Sequence, residues 1–108
     1  MNSQMLLFDA ELGRQAEEHG MSVAALSHAE LLELAQEVAM QLGRLQCEVT
    51  IDDVHRWLGQ HLEGYEPSDL GNAAGSVFKG PQWQFVRWDA SQRVSNHRRS
   101  VRVWRLRR

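Results

Sequence analysis

Apolar residues recur at helical spacing along most of this chain and at alternating spacing near its end. In residues 3–19, Leu6, Leu7, Ala10, Leu12 and Ala16 form a ragged apolar face that predicts a helix, with Gly20 as its stop. Met21–Leu26 reads as a short connector. Ser27-His28-Ala29-Glu30 then spells a capping box, in which Ser Oγ takes an amide proton and Glu returns to the cap amide. Leu31, Leu34, Ala35, Val38, Ala39, Leu42 and Leu45 continue as one apolar stripe, with Glu30, Glu33, Glu37, Gln41 and Arg44 mostly off it.

Thr50-Ile51-Asp52-Asp53 opens a further helix, with Thr50 as N-cap and acids suited to the positive end of the helix dipole. Val54, Trp57, Leu58 and Leu62 give its apolar face. Glu63–Pro67 is a turn. Ser68 is then expected to cap another helix, whose Leu70, Ala73, Ala74, Val77 and Phe78 follow helical spacing up to Lys79-Gly80-Pro81. The period changes after this point. Gln82–Trp88, rich in aromatic and β-branched residues, and Val101–Leu106 read as strands joined by a polar, basic loop over 90–100.

The order helix, turn, helix, hairpin predicts an α+β, mostly helical single domain of winged helix-turn-helix type. Residues 1–46 would form an acidic helical scaffold, 47–80 the helix-turn-helix, and 81–108 a basic β-hairpin wing and tail. The second helix of such a pair can enter a DNA major groove about 12 Å wide, while the wing follows the backbone or reaches the minor groove.

Several short motifs match this arrangement: Gly20-Met21, Val49-Thr50-Ile51-Asp52-Asp53-Val54-His55-Arg56-Trp57, Leu70-Gly71-Asn72-Ala73-Ala74-Gly75, Ser95-Asn96-His97 and Val101-Arg102-Val103-Trp104-Arg105-Leu106. In these the chain resembles small winged-helix proteins of phages, plasmids and other mobile elements, mostly uncharacterised, over most of residues 13–106. The resemblance implies a DNA-binding role in regulation, replication or packaging. The Arg-rich end is more basic than such domains lead one to expect.

Charge sharpens the picture. Residues 1–69 hold thirteen of the fourteen acids and three arginines, a net of −10; residues 70–108 hold Asp89 against nine bases, a net of +8. The total of −2 hides a dipole whose basic end suits an anionic partner. Duplex DNA is the expected partner. On the recognition helix Ser68, Asn72, Ser76 and Lys79 are expected to face outward, with Asn72 able to pair with adenine and Ser68 or Ser76 able to reach phosphate. In the wing Arg93, Asn96, His97, Arg98, Arg99 and Arg102 complete the candidate DNA contacts. Each competes with a plainer role: Asn72 as a surface residue, the wing arginines as a solvated tip. Gly71 and Gly75 either admit a close neighbour or mark loose packing. Trp83, Phe85, Trp88 and Trp104 raise the alternative of stacking on single-stranded bases. Packing on the helices accounts better for most of them, with Trp88 as the ring expected to be most exposed.

Other classes find little support. One cysteine, Cys47, excludes an intrachain disulfide, fits a reducing cytosol and sits between Gln46 and Glu48 with no cation adjoining it. The five histidines form no metal motif, and Asp52 and Asp53 have a sufficient role at a helix start. No phosphate-binding glycine loop or nucleophile–base pair is present, so neither an enzyme nor a cofactor is expected. No apolar run nears the roughly 20 residues that span a bilayer, and the N-terminus lacks a signal-peptide pattern. A cytoplasmic protein without membrane contact is the expectation. Two rivals to DNA binding stand: a winged-helix protein–protein module whose basic end meets an acidic protein partner, and an accessory homodimer joined through Met5, Leu6, Leu7 and Phe8 of the N-terminal helix.

Overall fold

A computed structural model describes residues 21–93 and 99–107. The expected helix over 3–19, its dimer face and Asn96, His97 and Arg98 of the wing lie outside the described residues. The order is a 3-10 turn Val23–Ala25, helix α1 His28–Leu45, helix α2 Ile51–His61, 3-10 helices Pro67–Asp69 and Gly71–Ser76, and strands β1 Trp83–Ala90 and β2 Ser100–Leu106. The architecture is α+β, with a two-stranded antiparallel sheet.

Local chemistry starts both α-helices where the sequence places them. Glu30 N–H donates to Ser27 Oγ at 3.1 Å and Ser27 N–H to Glu30 Oε1 at 2.9 Å, the two halves of a capping box. Thr50 N–H donates to Asp53 Oδ2 at 2.9 Å, and Asp53 N–H donates to Thr50 Oγ1 at 3.4 Å. The apolar stripe of α1 then packs inward: Leu31, Leu34, Ala35, Val38 and Ala39 are buried with Val54, Leu58 and Leu62 of α2 and its C-cap. The connector at residues 21–26 is fastened to the far end of α2, where Val23 N–H donates to Glu63 O and Glu63 N–H to Met21 O, each at 3.0 Å.

The second helix of the expected pair is corrected in type. Residues 71–76 wind as a 3-10 helix, and Ser68 lies inside a separate 3-10 turn instead of capping an α-helix. Gly71 explains the break. Its φ of +54° lies outside helical space and is open to glycine at little cost. The backbone bonds follow the tighter pattern: Leu70 N–H to Pro67 O, Ala73 N–H to Leu70 O and Val77 N–H to Ala74 O. Of the residues the spacing turns inward, Leu70, Val77 and Phe78 are buried and Ala73 and Ala74 half-buried.

Strand β1 pairs with β2 from Trp83↔Leu106 to Ala90↔Ser100, with a bulge between Phe85 and Arg87. A bridge attaches a further residue to this sheet. Val49, between α1 and α2, exchanges both backbone bonds with Trp104, at 2.8 and 2.9 Å. Backbone bonds at this fully buried valine thereby tie the helical layer to the hairpin. Trp83 is buried, packs edge-on against Phe78 at 4.9 Å, and sits with Leu106 over Gly43 of α1.

A Cβ at Gly43 would lie 2.8 Å from Leu106 Cγ and 3.1 Å from Trp83 Cη2. Overpacking of this kind costs about 1–3 kcal/mol, against roughly 1 kcal/mol gained from helix propensity. Gly43→Ala is therefore expected to lower stability by up to about 2 kcal/mol. Urea denaturation reads this as a lower midpoint at unchanged slope; an unmoved midpoint would show that the hairpin yields.

Candidate nucleic-acid interface

The candidate residues fall on two elements. On the 3-10 segment Ser68, Asn72 and Lys79 are exposed, while Ser76 is half-buried. Gln36 Nε2 of α1 donates to the Ser76 carbonyl at 3.1 Å, holding this end of the segment against the scaffold. The 3-10 winding matters for readout. At three residues per turn, Asn72 and Ser76 point about 120° apart, where an α-helix would bring them within about 40°. Asn72 thus projects without Ser76 beside it. Gly75 has no atom within 4 Å of where a Cβ would be, so close packing inside the chain does not account for it.

On the hairpin the basic side chains divide into two groups. Arg87 and Arg93 fasten the hairpin to the acidic helices. Arg87 makes a two-pronged contact with Glu48, at 2.7 and 2.9 Å, from exposed positions on both sides. Arg93 Nε donates to Asp52 Oδ1 at 2.9 Å. Asp52 is 2% exposed, and its other oxygen accepts from Ser91 Oγ and from Gln92 N–H, both at 2.7 Å. Burial pushes the Asp52 carboxyl up, but the bonds from Ser91, Gln92 and Arg93 outweigh it and hold the group below the ordinary carboxylate range.

Asp52 therefore does more than greet a helix dipole. It binds the base of the hairpin loop, which Ser91 N–H also closes by donating to Arg99 O at 2.8 Å. The partners lie about forty positions away in sequence. The only signal available beforehand was an acid at a helix start and a Ser-Gln-Arg step after a strand. Arg93, expected as a free tip residue, has its Nε engaged in this anchor.

The second group projects. Arg99, Arg102, Arg105 and Arg107 are exposed and form no ion pair with another described residue. Arg105 Nε donates to Gln84 Oε1 at 3.3 Å. The Arg102 guanidinium lies 4.9 Å from the centre of the Trp88 ring, its neighbour across the ladder. Strand alternation sends Arg102 and Arg105 to opposite faces, so they cannot both meet one flat surface. Cys47 is exposed and lines a surface depression of about 530 Å³ with Gln84, Arg105, Leu106 and Arg107, so arginines distant in sequence line the same depression.

Behind the anchor, His55 is 7% exposed and shares a 2.7 Å hydrogen bond with the Tyr65 hydroxyl. Burial, with Arg93 adding to it, pushes the imidazole down to about 4, although Asp52 pulls the other way. Burial, followed by Asp69, pushes the Tyr65 hydroxyl up. Among the described residues no cluster of three or more His, Cys, Asp or Glu side chains could hold a metal ion, and no helix is long and apolar enough to cross a membrane. Comparison with protein-family models, curated proteins and solved structures finds no match for this chain.

Proposed function

We propose that this chain is a small, non-enzymatic DNA-binding protein of winged-helix type, cytoplasmic and carried by a mobile element. The observation that carries the reading is the division of the hairpin's charge. Arg87 and Arg93 are spent on Glu48 and Asp52, while Arg99, Arg102, Arg105 and Arg107 face solvent. Folding neutralises the bases that join the hairpin to the body and leaves a cationic outer edge suited to phosphate. The order of elements supports the same reading: helix, a bridging residue paired with β2, helix, a further helical segment, then the hairpin. The 3-10 segment would face the major groove with Asn72 foremost. Asn96, His97 and Arg98 of the loop would extend the phosphate contacts. The acidic body would repel DNA on every other side, which orients encounter and restrains nonspecific binding.

Binding to random duplex DNA as a function of salt tests this. Each phosphate contact should contribute about 0.9 to the slope of log K against log salt on B-DNA. Replacing Arg98, Arg99 and Arg102 together by Ala is expected to lower the slope by about 2–3 and weaken binding at low salt. Absence of duplex affinity at about 50 mM salt, or a slope unchanged in the triple variant, overturns the reading.

A further inference from the structure

The face of the hairpin nearest the 3-10 helix carries aromatic rings that packing does not use up. Trp83 and Trp104 are drawn toward the core, but Phe85 is 43% and Trp88 56% exposed, and the two meet edge to face at 5.9 Å. Trp88 and Arg102 of the hairpin line a groove together with Gly75, Phe78 and Trp104. The groove holds about 240 Å³. This is below the roughly 300 Å³ at which pockets for whole small molecules begin. A single planar ring system is the sort of group it admits. Gly75 adds no bulk to this lining, and a Cβ there would meet no atom within 4 Å.

The charge around the groove narrows the occupant. Arg102 lines it, and Asp89 is the one acid between residues 70 and 108. A planar ring attached to a phosphate fits an aromatic wall with a guanidinium at its rim. A base inside a duplex is sandwiched by its neighbours and cannot enter, so the ring must have left its stack. We propose that the groove between Gly75 and Trp88 takes one unstacked base of single-stranded DNA, with the ring against Trp88 and the adjoining phosphate on Arg102. This rests on the DNA-binding reading above and adds the kind of DNA recognised: duplex with a frayed, looped or displaced strand.

Competition binding with fluorescein-labelled oligo-dT and a duplex of equal length tests it. Stacking losses of the usual size predict that Trp88→Ala weakens oligo-dT binding about tenfold or more and leaves duplex binding within about twofold. Gly75→Met, which adds bulk at the groove without changing charge, should weaken oligo-dT binding likewise. Oligo-dT should also quench tryptophan emission in the native chain and not in Trp88→Phe. Duplex binding that is intact, with oligo-dT affinity unmoved by both Trp88→Ala and Gly75→Met, overturns this proposal and leaves the duplex reading standing. Loss of duplex binding in the native chain removes both. If either variant changes the mass in solution without DNA, a second copy of the chain fills the groove, and the proposal also fails.

Discussion

Replacing Asp52 by Ala is expected to weaken DNA binding even though it makes the protein less negative. The carboxylate is 2% exposed and accepts from Ser91 Oγ, Gln92 N–H and Arg93 Nε. Removing one partner of a buried charged pair costs about 3–5 kcal/mol where the other charge stays buried. Arg93 is 26% exposed and can turn partly to water, so a loss of about 2–4 kcal/mol is expected. For a domain of this size that lowers the melting temperature by on the order of 10–20 °C. The loop base should also lose order, and with it the placement of Arg99.

Charge alone predicts the opposite for binding, since one negative group is gone. Glu33→Gln on the exposed side of α1 separates the two effects. It removes the same charge without touching the hairpin. The Gln variant should bind duplex DNA as well as the native chain or slightly better, and Asp52→Ala worse. Thermal melts and duplex titrations of the two variants, at a temperature where both are folded, check this. Equal or tighter binding by Asp52→Ala would show that the anchor does not position the wing.

Asp52 also marks where the sequence stops being informative. Features set by neighbouring residues were legible: the Ser27–Glu30 box and the Thr50 cap lie within one turn, and the stripe from Leu31 to Leu42 repeats over about three. The hairpin strands were legible because alternation holds on both sides of a polar loop. The anchor was not, because Asp52 and Ser91 are brought together only by the fold. Val49 pairs with Trp104 through one residue, too short to show any period. The 3-10 winding of residues 71–76 escaped for another reason. Leu70, Ala73, Ala74 and Val77 suit three residues per turn nearly as well as 3.6, and the deciding fact, the positive φ of Gly71, belongs to the backbone. Ser68, Asn72, Ser76 and Lys79 were grouped on an α-helical face, and only the winding separates Asn72 from Ser76.

Stability is expected to fall on mild acidification, and His55 is the cause. Its ordinary pKa of 6.5 drops to about 4 in the folded chain, chiefly through burial. Between these values the unfolded chain binds a proton that the folded chain refuses, so acid favours unfolding. The contribution is fully present above pH 6.5 and is lost as the pH falls toward 4. The difference amounts to about 2–3 kcal/mol between pH 7.5 and 4.5. Asp52 does not share this window. A carboxyl held below its ordinary value supports the fold down to about pH 4 and gives way only beneath it. Substituting His55→Gln keeps a hydrogen-bonding group beside the Tyr65 hydroxyl and removes the titration. The variant should lose some stability at neutral pH and show a flatter profile from pH 7.5 to 4.5 in urea denaturation. A profile as steep as that of the native chain would place the acid sensitivity elsewhere. A flatter one ties it to the imidazole that lies between Tyr65 and the Asp52–Arg93 pair, so the stability of the hairpin's support would follow the pH.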